Sequence, residues 1–92
     1  MNIFSLINKY RILQDEKAFI SELLNPKTQN EAFLKLLQLY QKPLYYHIRN
    51  MVLSHDDADD VLQNTFIKVF GNLKNFKGDS KLYSWMYRIS TN

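Results

Sequence analysis

The chain has 92 residues, 46% of them hydrophobic and 23% charged, enough for one small domain and too few for a second. With no cysteine, disulfide scaffolds, thiol catalysis and zinc sites built on Cys are excluded. Twelve Lys and Arg against nine Asp and Glu give a net charge of +3, which permits nucleic-acid binding without requiring it.

The first segment, Met1 to Asn8, is the longest stretch without a charge, yet its eight residues fall far short of a membrane span. A span needs roughly 20 apolar residues. No positively charged start precedes an apolar run here, so no secretory signal is expected. Ile3 to Tyr10 reads as a weak helix. A separate short helix is predicted over Glu16 to Leu24, capped by Asp15, with Phe19, Leu23 and Leu24 on one side. Asn25-Pro26 ends it, because proline disfavours helix in the residue before it.

From Asn30 to Leu53, Phe33, Leu36, Leu37, Tyr40, Leu44, Ile48 and Met51 or Val52 recur at three- and four-residue steps. Pro43 interrupts the hydrogen bonding but not the phase of this stripe, so one bent helix or two nearly collinear ones are predicted. The next helix opens after Ser54, a good N-cap, with Asp57 three positions on as a capping-box acid. Asp56, Asp57, Asp59 and Asp60 crowd its first turns, where the helix dipole favours negative charge. Ala58, Leu62, Thr65, Phe66, Val69 and Leu73 form its core stripe. A connection from Asn72 to Asp79 follows, and Asp79 or Ser80 is expected to cap a last helix through Leu82, Trp85, Met86 and Ile89. With two Gly and two Pro and no hairpin turn signals, the fold class is all-α, a bundle of about four helices.

Catalytic chemistry finds no support. The run from His55 to Asp60 lacks the Gly and the distal Glu of a calcium loop, and acids at a helix start explain it better. His47 sits among Tyr45, Tyr46 and Ile48 and reads as a packed or surface residue. No nucleophilic triad spacing occurs, and Gly71 and Gly78 form no phosphate-cradling loop. No catalytic residue, metal site or cofactor is therefore expected.

Two surfaces carry more information. Asp60, Gln63, Asn64 and Ile67 fall at i, i+3, i+4 and i+7, opposite the core stripe, and suit a partner helix bearing Arg or Lys. Further on, Phe76, Lys77, Lys81, Tyr83, Trp85, Tyr87 and Arg88 crowd together. Aromatic faces stack on unpaired bases while cations hold the phosphates, which favours single-stranded nucleic acid over a duplex groove. Tyr83 and Tyr87 lie on a side that the Leu82, Met86 and Ile89 stripe leaves freer. The charge divides accordingly: +3 over residues 1–53, −4 over 54–66 and +4 over 67–92.

In order and spacing, the blocks Asp56-Asp57-Ala58-Asp59-Asp60-Val61, Gln63, Phe66-Ile67-Lys68, Phe76-Lys77-Gly78-Asp79-Ser80 and Trp85-Met86-Tyr87-Arg88-Ile89 with Asn92 closely resemble region two of the extracytoplasmic-function sigma factors of bacterial RNA polymerase. Lys42-Pro43-Leu44-Tyr45 looks like part of that family's first core helix, while residues 1–29 are not diagnostic. The resemblance implies a first core helix over 30–53, a polymerase-binding helix over 54–73, a specificity loop over 74–80 and a minus-ten recognition helix over 81–92. It implies docking on the β′ clamp helices of core RNA polymerase through Asp60, Gln63, Asn64, Ile67 and Phe70. It also implies capture of the non-template strand of the promoter minus-ten element, with Phe76 in the pocket for a flipped base and Lys77, Ser80, Lys81, Tyr83, Tyr87, Arg88 and Asn92 beside it. An anti-sigma factor is a further implied partner, and the bacterial cytoplasm the implied location. Family members continue into a linker and a helix-turn-helix domain, so a longer natural chain is expected. The pair Trp85-Met86 stands where primary sigma factors carry paired tryptophans, which implies weaker melting. The competing reading is a helical protein-interaction module whose aromatics serve only as core.

Overall fold

A computed structural model describes residues 3–78 and 80–91. The chain folds as α1 (Ile3–Leu24), α2 (Gln29–Arg49), α3 (His55–Asn72), a 3₁₀ turn (Leu73–Asn75) and α4 (Leu82–Thr91), and no strand occurs among the described residues. The all-α expectation holds.

The amino-terminal third differs from expectation. In place of two helices separated at Asp15, α1 runs unbroken for 22 residues, with Asp15 in its interior. Residues 3–14 contain neither Gly nor Pro. Once a helix exists upstream, the N–H groups that an Asp15 cap would satisfy already have carbonyl partners four residues back, and propagation needs no new nucleus. The end of α1 is as predicted. After Leu24 the chain turns at Asn25-Pro26, and the orphan carbonyls are taken by side chains: Thr28 Oγ1 donates to the Glu22 carbonyl at 2.8 Å and Gln29 Nε2 to that of Leu23 at 3.0 Å.

Helix α2 continues through Pro43, which with Leu39 lies on its exposed side. The Leu39 carbonyl loses its i+4 donor there, while Leu36 and Leu44 stay fully buried on the other side. The helix stops at Arg49, four residues before the predicted end, and Asn50, Met51 and Val52 turn back with their N–H groups on the carbonyls of Tyr46 and Ile48. Ser54 then caps α3 from an extended conformation, its Oγ accepting from the Asp57 N–H at 3.1 Å.

Helix α2 is the central element and packs on α1, α3 and α4. The interior is built from Leu23, Leu36, Leu44, Val69, Leu82 and Met86, none more than 1% exposed. Burying each such side chain contributes about 1.5–3 kcal/mol. The predicted α3 stripe is borne out: Ala58, Thr65, Phe66, Val69 and Leu73 are buried and Leu62 is half-buried. Thr65 is tolerated inside because its Oγ1 donates to the Val61 carbonyl at 2.7 Å. Helix α4 begins at Leu82, and the Lys81 carbonyl accepts its first helical bond, from the Trp85 N–H. Asp79, one of the two expected caps, lies outside the described residues, and the Ser80 hydroxyl is engaged by Arg88 instead.

Candidate functional site

Asp60, Gln63, Asn64, Ile67 and Phe70 all lie exposed along the outer face of α3. Their burial pattern follows from the helical repeat: the residues between them, Phe66 and Val69, point into the core. Ile67 is 69% exposed, a large apolar side chain that the fold leaves mostly uncovered. Next to it runs a groove of about 570 Å³ walled by Phe33 and Leu37 of α2 and by Gln63, Phe66, Ile67 and Phe70 of α3. The Phe33 ring meets Phe70 edge-on at 4.9 Å and Phe66 at 6.5 Å, so three aromatics brace one another along it. The sequence pattern assigns Phe33 and Leu37 to the core. They are half-buried, and their other side forms one wall of this groove. No sequence signal separates these roles, because the same three- and four-residue apolar repeat serves both.

The second surface starts at Phe76. This residue is only 8% exposed, its ring set edge-on against Trp85 at 5.1 Å. What remains of its surface lines a cleft of about 670 Å³ between α1 and the loop, together with Lys17, Ile20, Lys77, Ser80 and Lys81. Lys77 and Lys81 are exposed, and Arg88 donates through Nη2 to Ser80 Oγ at 2.9 Å, tying the loop to α4. Asn92 lies outside the described residues.

Tyr83 and Tyr87 do not occupy a free side. Tyr83 stacks on Tyr40 at 5.1 Å, Tyr87 stacks on His47 at 4.1 Å, and the two tyrosine hydroxyls share a hydrogen bond. All four rings belong to the α2–α4 seam. Burial, followed by the bond to Tyr87, pushes the Tyr83 phenol well above the ordinary tyrosine range, and burial with the nearby Glu16 carboxylate raises that of Tyr40. His47 is a packed residue whose Nε2 is buried without a partner. At the start of α3, His55 bridges the Tyr45 hydroxyl and Asp59, with Nε2 3.3 Å from the Asp59 carboxylate. No cluster able to hold a metal ion occurs among the described residues.

A group missed in the sequence lies on the other side of Trp85. Lys68, Asn72 and Asn75, from the end of α3 and the 3₁₀ turn, line a small cavity of about 280 Å³ with Trp85 and Ile89. Asn72 donates to the Lys68 carbonyl at 2.7 Å and accepts from Asn75 at 3.3 Å, so the amides are held in place.

Sigma-70 region 2 as a family matches residues 31–92, from the first turn of α2 to the last residue. The chain belongs to the sigma-70 region 2 family. Among curated proteins, it is 43% identical over 61 residues to the RNA polymerase sigma-H factor of Pseudomonas aeruginosa, covering 66% of this chain and 32% of that protein. It is 39% identical over 66 residues to the ECF RNA polymerase sigma-E factor of Escherichia coli K12, covering 72% and 34%. To the factor of the same name in Haemophilus influenzae it is 37% identical over 62 residues, covering 67% and 32%. The chain thus spans about a third of the length of the curated relatives it matches. No solved structure matches it. The sigma-factor resemblance read from the α3 and α4 blocks is correct, and both candidate surfaces, apart from the α1 wall of the Phe76 cleft, lie within the matched region-2 segment.

Proposed function

We propose that this chain is the part of a bacterial transcription-initiation factor that binds core RNA polymerase and recognises the promoter minus-ten element. In this reading the outer face of α3 docks on the β′ clamp helices. Ile67 and Phe70 provide the apolar anchor, and Asp60, Gln63 and Asn64 the polar contacts around it. The loop before α4 and the first turns of α4 meet the non-template strand, Lys77, Lys81 and Arg88 serving the phosphates and the Phe76 cleft receiving an unpaired base. Its place of action is the bacterial cytoplasm, with the polymerase, and an anti-sigma factor is a further partner for the α3 face.

The observation that carries the reading is the separation of the two surfaces. An apolar groove with an acidic and amide border lies on α3, and a basic loop beside a cleft of about 670 Å³ lies on another part of the fold. A domain that joins polymerase to DNA needs both at once. The test is a pair of double variants. Asp60→Ala with Gln63→Ala is expected to weaken binding to core polymerase and spare single-stranded DNA. Lys81→Ala with Arg88→Ala is expected to do the reverse. Equal loss in both assays sinks the division of labour.

A second reading, a protein-interaction module without DNA recognition of its own, is favoured by the aromatic packing. Phe76 packs edge-on against Trp85, and Tyr83 on Tyr40 and Tyr87 on His47 use their ring faces within the protein. If Lys81→Ala with Arg88→Ala leaves DNA binding unchanged, that reading takes over.

A further inference from the structure

Helix α4 is held at its first residue by a side chain from the far end of the chain. Glu16, midway along α1, accepts a hydrogen bond through Oε1 from the Leu82 backbone N–H at 3.1 Å, across 66 residues of sequence. Leu82 opens α4, so its N–H has no carbonyl partner within the helix. Its side chain is 1% exposed, and water has little access to the amide beside it. A carboxylate is the strongest acceptor for such a donor, and the positive end of the helix dipole adds to the attraction.

The contact sits beside the candidate DNA surface. Glu16 and Lys81 together form the partition between two clefts. One, of about 670 Å³, includes Phe76, Lys77 and Ser80; the other, of about 570 Å³, includes Phe19, Tyr40 and Tyr83. The chain just before α4 is thus fastened twice, by Arg88 on Ser80 and by Glu16 on the amide that follows Lys81. The second fastening comes from outside residues 31–92, the segment that matches the family.

We infer that Glu16 is a positioning residue for strand capture: by holding the first turn of α4 against α1 it sets Phe76, Lys77, Ser80 and Lys81 in their DNA-binding arrangement. This rests on the DNA-binding reading above. Glu16 touches no DNA in it; its effect passes through Leu82 and the loop.

The experiment compares the full chain with Glu16→Ala and Glu16→Gln. Two measurements are made: fluorescence anisotropy with a dye-labelled pool of short mixed-sequence single-stranded DNA, and amide hydrogen exchange at Leu82 and Ser84. In the unaltered chain the Leu82 amide is expected to exchange more slowly than that of Ser84, which lies in the same first turn and likewise has no carbonyl partner within the helix. Glu16→Ala is expected to remove that difference and to weaken DNA binding about tenfold, the scale of one charge-assisted hydrogen bond. Glu16→Gln, which keeps an acceptor, is expected to recover most of both. DNA binding by Glu16→Ala equal to that of the unaltered chain overturns the inference. So does a Gln variant no better than Ala. Leu82 exchange as fast as Ser84 in the unaltered chain overturns it independently of any DNA. If the unaltered chain binds no DNA, the strand-capture reading itself fails and the positioning role fails with it, a result told apart by a Leu82 amide that is still protected by Glu16.

Discussion

His47 and Tyr87 face each other across the α2–α4 seam, ring centroids 4.1 Å apart and planes within 16° of parallel. The stack helps hold α4, a helix of only ten residues, on α2. It also leaves His47 Nε2 buried without a hydrogen-bond partner. His47→Ala is expected to destabilise the domain by about 0.5–1.5 kcal/mol through loss of the stack. His47→Phe keeps the ring and removes the unsatisfied nitrogen, so it is expected to be neutral or stabilising. Urea denaturation of both variants checks this, and a Phe variant weaker than Ala contradicts it.

The tyrosine pair next to that stack predicts alkaline sensitivity. The Tyr83 phenol is raised by burial and by its bond to Tyr87, so the folded chain keeps this proton to higher pH than the unfolded chain does. A group raised in the folded state contributes its full stability below the unfolded value, near pH 10 for tyrosine, and loses it as pH climbs through the folded value. Unfolding free energy measured from about pH 8 to 11 should be level at first and fall above about pH 10. In Tyr83→Phe the fall is expected to be shallower, from a starting stability lower by about 0.5–1.5 kcal/mol because Tyr87 loses its partner. Identical profiles would contradict the assignment.

On α3, Ile67 should matter for binding and hardly for folding. Its side chain is 69% exposed, so Ile67→Ala is expected to change stability by less than about 0.5 kcal/mol. Loss of a central apolar anchor is expected to weaken polymerase binding about tenfold, equivalent to about 1.4 kcal/mol. Phe66→Ala is the contrast: Phe66 is only 8% exposed, and its loss is expected to cost about 3–5 kcal/mol of stability. Titration of core polymerase alongside thermal unfolding distinguishes the two, and an Ile67 variant that binds normally argues against the groove.

Salt dependence separates phosphate contacts from packing. Lys81→Ala and Arg88→Ala are each expected to reduce the slope of log affinity against log salt by about 0.7 for single-stranded DNA. Ile67→Ala should leave that slope unchanged. A slope unaffected by either basic substitution would place the phosphates elsewhere, and Lys68 beside Trp85 becomes the next residue to substitute.

Opening a promoter is expected to lie beyond this chain alone. Unstacking takes a mean of about 1.4 kcal/mol per base-pair step, so a bubble of about ten steps needs on the order of 14 kcal/mol. A few stacked bases at about 1–3 kcal/mol each do not supply it. The isolated chain is expected to bind single strands and to leave linear duplex closed, as a fluorescent base analogue in the minus-ten element would report. Melting of duplex by stoichiometric chain overturns this.

Where an interaction spans a few residues, the sequence was legible. The Ser54 cap bonds a backbone amide three positions on, Asn25-Pro26 ends α1 where predicted, and the α3 stripe is buried in phase. Local geometry alone decides these features. The outer α3 row follows from the same repeat, which is why Asp60, Gln63, Asn64, Ile67 and Phe70 are all found exposed. The break at Asp15 failed for a related reason, since a cap residue is a stop only where the helix before it has no cause to continue.

By itself the sequence determined four things: an all-helical chain, the α3 cap and core stripe, the alternation of charge along the chain, and membership of the region 2 family. All of these depend on residue type and short spacing. Only the tertiary structure decided that Tyr83 and Tyr87 turn inward onto Tyr40 and His47, that Phe33 and Leu37 wall a groove, and that Glu16 caps a helix 66 residues away. Each of these pairs residues from different helices, and their meeting depends on how α1 and α2 pack against α3 and α4. Helical periodicity says which side of a helix is apolar. It does not say which neighbour that side will touch.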